Sequence, residues 1–545
     1  MKATVKEIIA YPDRIEIHVA NVCPNSADGL SAKAFVPTLC GDGQPRFTGR
    51  CVADHTEIFV EGDMGYILFP RKCQAYDLLI CRFEVYQKGE VLAGVKYVIY
   101  QEGVARHVPL DIGPKPVGTW VTCPGEDMDA WGLGCMMTEI NAAWIQTLTP
   151  KAQDIPHVWN GQTYYFDKEA MDMYDNLMQP CIQRKIPCLV RLINRFSYRL
   201  KGSDEALVQV IGHPAYQSIG FGEQMSGFNV RTEEGLHMYC ACVDFLAARY
   251  ADPKSPYFCS AVMDIGNEIN AQAVWHNTGP MTCGDFMEEY TLSLRLAHLI
   301  TRTHNASHRV DVSFDHHFAI PFRDDPMGYY ESRECLAYLA AIAKRDGDFD
   351  WGISAHPYPE NLSRPDFYHD QTAVFSYDSP RITMKNIEVW QAIANLPAIA
   401  YQGRPRKVVF DEQGFHTDYS DSESEAKGAY GFVLLYQKMK QCPEVEMFLI
   451  NRYADMPEGD EGELHLGLRY ERGYADEQHL FILPGAYKQI CHAITAMEGP
   501  EEAEWIERAR DYIGQELFDE LLTPPAILPT TYFDDIARRV GIDLS

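Results

Sequence analysis

The sequence predicts an α/β protein built on a (β/α)8 barrel, with an N-terminal antiparallel β-sandwich-like domain before it and a C-terminal helical tail after it. Three observations predict this. Between about residues 115 and 500, apolar strand-length runs alternate with helical stretches, the pattern of a parallel sheet with crossover helices. That span is long enough for eight such units with long loops. No GxGxxG or GxxxxGK[ST] loop announces the alternative, an open doubly wound sheet.

The first 110 residues carry a different period. "RIEIHVA", "TEIFVEG", "LLICRFEVY" and "VKYVIYQ" are short, alternating and rich in β-branched or aromatic residues, with turn clusters such as "CGDGQPR" and "QKGE" between them. They suggest a sandwich. "LDIGPKPVGTW", with its prolines and glycines, reads as the break that follows. The expected division is 1–112 for the β domain, 113–500 for the barrel and 501–545 for the tail.

Within the barrel, six helix–strand pairs follow in order, from "KEAMDMYDNLMQPCIQRK" before "IPCLVRLIN" to "SEAKGAYGFVLLYQKMKQ" before "VEMFLINRY". Strands are expected near 131–136, 140–145, 187–194, 260–268, 309–315, 350–356, 406–412 and 446–451. "PGAYKQICHAITAM" reads as the last barrel helix, and "EEAEWIERARDYIGQELFDELL" with "FDDIARRV" as the tail.

The formal net charge of −29 over 545 residues is spread along the chain. Such a surface repels nucleic acid and anionic membranes, so neither is an expected partner. No stretch reaches the ~18 apolar residues of a membrane helix. The start, "MKATVKEIIAYPDRIEIHVANV", lacks the apolar block of a signal peptide, so a cytoplasmic location is expected; a mature chain with its leader removed would read the same. The 16 cysteines are scattered without a CxxC and sit in apolar runs, as reduced core thiols do.

Active sites of such barrels gather at the C-terminal ends of the strands. Those ends read "IN" at 193–194, "GNEIN" at 266–270, "FDHH" at 314–317, "AHPYPE" at 355–360, "FDEQGFH" at 410–416 and "INRY" at 450–453. Strand ends turn polar in any barrel. Plain loops, however, would favour Lys, Ser and Gly over this set of Asn, Glu, His, Tyr and Arg. Glu268 ends the fourth strand and Glu412 the seventh. Two glutamates across a barrel mouth suit glycoside hydrolysis, one protonating the leaving oxygen and the other attacking or activating water. Either alone also reads as a strand-end salt bridge.

"GNEIN" and "FDEQGF" resemble the acid/base and nucleophile segments of clan A glycoside hydrolases, which are retaining (β/α)8 barrels, and "HPY" at 356–358 resembles their sixth-strand segment. "GQTYYFDKEAMDMYDNLM", "VWHNTGPM", "WGISAHPYPENLSRPDF", "DSPRITMKNIEVW" and "DEQGFHT" are similar to a bacterial family known only as a domain of unknown function from carbohydrate-active loci, over residues 115–500. The resemblance implies Glu268 as acid/base and Glu412 as nucleophile. It implies that Asn267 binds the sugar 2-hydroxyl and that Tyr358 or His356 orients Glu412, His356 serving equally as a sugar ligand.

Asn194 and His316 stand as further substrate contacts. Adjacent His316 and His317 point to opposite faces of an extended strand, so with Asp315 they make a poor joint metal site. Trp275 and Trp144 suit either sugar stacking or core; Asn270 has no assigned role. Arg452 and Arg195 suit either an acidic sugar or a salt bridge. The leading expectation is a retaining glycosidase acting on an oligosaccharide or glycoside, without cofactor. The alternatives are a non-catalytic carbohydrate-binding barrel and a metal-dependent hydrolase using His316, His356 and Asp315. Homo-oligomerisation stays open.

Overall fold

The computed structural model describes residues 2–22, 29–41, 45–55, 58–196, 205–217, 225–457, 464–475 and 482–542. Eight strands close into a parallel barrel: β1 (Val117–Trp120), β2 (Cys135–Asn141), β3 (Cys188–Ile193), β4 (Ser260–Ile265), β5 (Arg309–Phe314), β6 (Trp351–Ala355), β7 (Val408–Gln413) and β8 (Val445–Ile450). Val117 pairs Phe448 where β8 meets β1. Each strand is followed by a helix: α1 (Gly125–Trp131), α2 (Lys168–Arg184), α3 (Glu233–Leu246), α4 (Cys283–Thr301), α5 (Ser332–Asp346), α6 (Glu388–Ala394), α7 (Ser424–Met439) and α8 (Gln489–Ala496). Asp167, Thr232 and Thr282 start α2, α3 and α4 by accepting a backbone N–H with their side chains.

The first two strands differ from expectation. The runs at 131–136 and 140–145 do not form two strands. Residue 131 ends α1, the single strand β2 spans 135–141, and Asn141 caps a short helix, Ala142–Ile145. The true first strand is "VGTW", inside the segment that reads as a break. Its glycine serves close approach rather than a turn: a Cβ at Gly118 would lie 1.9 Å from the Cys135 carbonyl oxygen. One strand lost and one gained leave Glu268 after β4 and Glu412 on β7.

Alternation along the strands sorts the side chains. Val190, Leu192, Met263, Ile265, Val408 and Phe410 face the helices in the main core. Leu189, Val262, Val409, Met447, Leu449, Cys135 and Met137 form a separate apolar plug inside the barrel. Two residues further along β3, β4 and β7, the inward positions hold Arg191, Asp264 and Asp411, each at most 1% exposed. A charged layer therefore lies directly on the apolar plug, below the mouth.

The N-terminal strands form two sheets. One holds Thr4–Ala10, Arg14–Ala20, Met64–Pro70 and Ile58–Glu61; the other holds Leu30–Phe35, Cys51–His55, Arg82–Gln87 and Glu90–Val91. Ile17, Phe69, Ala32 and Phe83 bring both into one core. The pairing is antiparallel except that Ala93–Gly94 and Tyr100–Gln101 run parallel to Thr4–Ala10. Lys96 Nζ donates to Asp346 at 2.7 Å and Gln101 to the Leu299 carbonyl at 2.9 Å, so this part leans on α4 and α5 at the outer wall. Helices Glu502–Ile513, Gln515–Leu522 and Tyr532–Val540 follow the barrel and pack on α7 and α5. The described cysteines are free thiols, buried except Cys51 and Cys73. No helix among the described residues is long and apolar enough to cross a membrane.

Candidate active site

Two local departures from regular strand geometry bring the glutamates over the charged layer. β4 ends at Ile265, and Gly266 turns the chain at φ +86°, where an added Cβ would lie 2.5 Å from His276 Nδ1. Glu268 is itself left-handed, at φ +35°, and opens a short 3-10 turn, Ile269–Ala271. A non-glycine residue there is strained, a feature concentrated at functional sites. The Glu268 N–H donates to Ser313 Oγ at 3.2 Å. On β7, three steps from Phe410 to Gln413 face two steps from Phe448 to Ile450 on β8. This bulge-like shift re-aims side chains, and the neighbours Asp411 and Glu412 both reach Arg191.

Around Glu412 the contacts are dense. Arg191 Nη1 donates to Glu412 Oε2, and Nη2 donates to Asp411 Oδ2. Tyr358 Oη donates to Glu412 Oε1 at 3.3 Å. Asn451 Nδ2 donates to Tyr358 Oη at 3.0 Å and lies 3.5 Å from Glu412 Oε1. Glu268 is held from the other side: His356 Nδ1 lies 2.7 Å from Glu268 Oε1, while His356 Nε2 lies 3.3 Å from Asp411 Oδ1 and 3.2 Å from Ser313 Oγ. One oxygen of Glu268 and one of Glu412 come within 4.8 Å of each other, with a nitrogen of His356 inside the same distance.

The two glutamates are treated oppositely. Burial pushes the Glu268 carboxyl up, against the pull of His356, and nearby Asp315 and Glu412 add to the rise. Burial acts on Glu412 too, but the His356 and Arg191 cations outweigh it and hold the carboxyl below its ordinary range. Burial alone would lower His356; Asp411 and Glu412 reverse that and push it up to about 10. Arg191 Nη2 lies 3.0 Å from His356 Nε2, and both side chains lie against the Asp411 carboxylate. The site thus presents one carboxyl that favours its proton and one that favours its charge, the arrangement of paired acid and nucleophile.

The other sequence-selected residues divide. Asn267 is 6% exposed and its Oδ1 has no partner in the structure; the same holds for Asn194 Oδ1, whose Nδ2 donates to the Ile211 carbonyl at 3.0 Å. His316 is buried and pushed down to about 3 by burial, hence neutral; it touches the Tyr358 backbone and leaves Nδ1 without a partner. Asp315 and Asn270 pair reciprocally, and Asp315 also takes the His317 ring at 3.0 Å. Asn270 therefore ties the loop after β4 to β5. Trp275 is half-buried against Ala271, Val274 and Tyr329, and Trp144 packs on the main core. The Arg452 guanidinium lies 5.7 Å from the Trp120 ring centroid, and Arg195 pairs with Glu139 at 3.0 Å.

His356, Glu268 and Glu412 have the spacing of a cation site. Arg191 already occupies Glu412 Oε2 there. Arg191, Asp264, Asp411, Asn451 and Ser313 are missing from the sequence reading. For Arg191 and Asp264 the available signal was a lone charge within an apolar strand, as in "CLVRLI" and "AVMDI".

The sequence profile of a family of unknown function (DUF5722) matches residues 118–521. No curated protein matches. Among solved structures, a family 39 glycoside hydrolase from the gut symbiont Bacteroides cellulosilyticus WH2 is 14% identical, with TM-score 0.40, over 91% of this chain and 82% of that one. A β-glucosidase from Thermotoga maritima is 11% identical, with TM-score 0.39, over 68% and 84%. A glucosidase from Croceicoccus marinus is 11% identical, with TM-score 0.42, over 72% and 68%. Overlaps this loose add nothing to the functional reading, which rests on the side chains.

Proposed function

This chain belongs to the family of unknown function (DUF5722), and we propose that it is a retaining glycoside hydrolase of the clan A kind, acting on an oligosaccharide or glycoside. The observation that carries the reading is the approach of Glu268 and Glu412 oxygens to within 4.8 Å across the barrel mouth. Retaining enzymes keep their carboxyl groups about 5–5.5 Å apart, whereas inverting enzymes need roughly 6.5–9.5 Å to admit a water. The opposite protonation preferences of the two groups support the same roles.

In the first step Glu412, ionised beside Arg191, attacks the anomeric carbon. Glu268 gives its proton to the departing glycosidic oxygen, and the bond to the leaving group breaks. His356, donating from Nδ1 to Glu268 Oε1, leaves Oε2 free to carry that proton and stabilises the carboxylate that results. In the second step Glu268 takes a proton from water, the water oxygen attacks the anomeric carbon, and Glu412 leaves with its charge restored. Two inversions give net retention. Tyr358 holds Glu412 Oε1. The unpartnered Asn267 Oδ1 suits a sugar 2-hydroxyl, a contact that strengthens in the transition state.

The test is a panel of aryl glycosides and oligosaccharides offered to wild type and to Glu412→Ala with azide. Cleavage of one glycoside by wild type, and a glycosyl azide of inverted configuration from the variant, supports the reading. A wild-type product of inverted configuration sinks it.

A further inference from the structure

The loop between β7 and α7 carries an aromatic ring that the reaction above does not use. Tyr419 is 53% exposed, yet its ring is held firmly. The hydroxyl donates to Asp455 Oδ2 at 2.8 Å. One face lies flat on the His465 imidazole, with centroids 4.2 Å apart and an interplanar angle of 8°. Tyr470, its own hydroxyl held by Glu425, stands against the ring at 5.4 Å and a tilt of 49°. We propose that the face of Tyr419 turned away from His465 is a stacking platform for a neutral pyranose unit of the substrate, remote from the bond that is cut.

The support behind the ring is elaborate for a surface residue. Asp455 is fully buried, and its Oδ1 takes both Lys488 Nζ and the Gly467 N–H at 2.8 Å, which leaves Oδ2 for the tyrosine. His465 is backed in turn by His416, at 5.9 Å and 16°, and its backbone N–H donates to His416 Nδ1 at 3.0 Å. The Thr417 N–H donates to the His465 carbonyl at 2.9 Å and ties the two loops together. Three near-parallel rings result, of which Tyr419 is the exposed one. An exposed side chain ordinarily changes rotamer within nanoseconds. Fixing this one beforehand removes the cost of ordering it when a ligand binds.

Position and charge identify the ligand. The loops after β7 and β8 both leave the C-terminal ends of barrel strands, the face that carries Glu268 and Glu412. Leu464 and Leu466, on either side of His465, pack against Tyr358, which holds Glu412. With its hydroxyl spent on Asp455, Tyr419 offers only its π face, which suits the C–H-rich face of a pyranose. The surroundings disfavour an acidic or sulfated sugar. Asp418 precedes the ring, with its Oδ1 turned to the Ser420 N–H at 2.8 Å, and Glu471 follows Tyr470. The lysines nearby, Lys427 and Lys488, are paired with Asp421 at 2.7 Å and with Asp455. The choice of a sugar as the ligand rests on the proposed glycosidase reading; the fixed ring does not.

The probe is an array of immobilised neutral oligosaccharides of two to six units, in gluco, manno, galacto and xylo series, beside uronate and sulfated counterparts. It is offered to the full chain carrying Glu268→Gln, so that bound sugar is not cut. This protein should bind the longer members of one neutral series. Adding Tyr419→Ala should weaken that binding about five- to tenfold, while Tyr419→Phe, which keeps the ring, should retain most of it. If Tyr419→Ala does not fold, Tyr419→Leu keeps the bulk, removes the plane and should show the same loss. Proton NMR of the bound sugar should show an upfield ring-current shift on one face, absent with Tyr419→Leu. Binding unchanged by loss of the ring, binding confined to the uronate or sulfated members, or no binding anywhere on the array overturns the proposal. Glycoside cleavage by wild type together with ring-independent binding would leave the glycosidase reading standing while this inference fell. Ring-dependent binding of a sugar that wild type never cleaves would do the reverse.

Discussion

Replacing Arg191 by methionine removes the guanidinium that Asp411 and Glu412 share. Arg191 is 1% exposed and Asp411 fully buried, so water cannot take over. Breaking a buried ion pair by removing one partner costs about 3–5 kcal/mol. His356 remains as the second cation, which sets the expectation at the lower end, ~3 kcal/mol at pH 7. The pH dependence follows from sign. In wild type both carboxyls are held below their ordinary range. Their contribution to stability is present above the unfolded carboxylate value of about 4 and is lost as pH falls through the lower folded values. Without Arg191 the folded values rise, so taking up protons relieves the variant as the pH drops. The deficit against wild type is therefore largest at neutral pH and narrows toward pH 4. Urea unfolding followed by tryptophan fluorescence and far-UV circular dichroism measures it, provided the two probes coincide. A deficit below ~1 kcal/mol at pH 7, or one independent of pH, would refute two ionised carboxylates held by one guanidinium.

Three further outcomes follow from the geometry. Activity of wild type should be bell-shaped in pH, falling on the acid side as Glu412 protonates and on the alkaline side as Glu268 loses its proton; Glu268→Gln should lose the alkaline limb and about 10²–10⁴-fold in rate on poor leaving groups, with activated aryl leaving groups less affected. Tyr358→Phe, which deletes the 3.3 Å hydrogen bond to Glu412 and takes the acceptor from Asn451, should lower kcat about fivefold, from a hydrogen bond worth about 1 kcal/mol, and lower stability by about 1–3 kcal/mol in thermal melts. Gly266→Ala places a Cβ 2.5 Å from His276 Nδ1 on a backbone at φ +86°, so thermal melts should show a loss of about 1–3 kcal/mol together with loss of activity.

The barrel was readable because six of its strands are long apolar runs separated by helices with clear periodicity. β1 escaped because four residues around a close-approach glycine carry no period and sit among prolines. The two glutamates stood out because strand ends are where an isolated carboxylate between amides is least expected. Their supports were hidden for two reasons. Arg191 and Asp264 are single charged residues inside apolar strands, Asp411 stands beside the more conspicuous Glu412, and nothing local says that positions 191 and 411 meet. The sharing of partners was also unreadable: His356, expected beside Glu412 or on the sugar, lies 2.7 Å from Glu268 and 4.0 Å from Glu412, and Tyr358 donates to Glu412 Oε1. That division depends on the extra residue in β7, which no periodicity announces.

The most direct measurement is mass spectrometry of the intact protein and its peptides after exposure to a panel of activated 2-deoxy-2-fluoro glycosides, which slow the second step and let the first accumulate. The account predicts one added sugar mass, carried by the peptide containing Glu412, and its absence from Glu412→Gln. An adduct on any other residue, or turnover of a glycoside to a product of inverted configuration with no adduct formed, would contradict it.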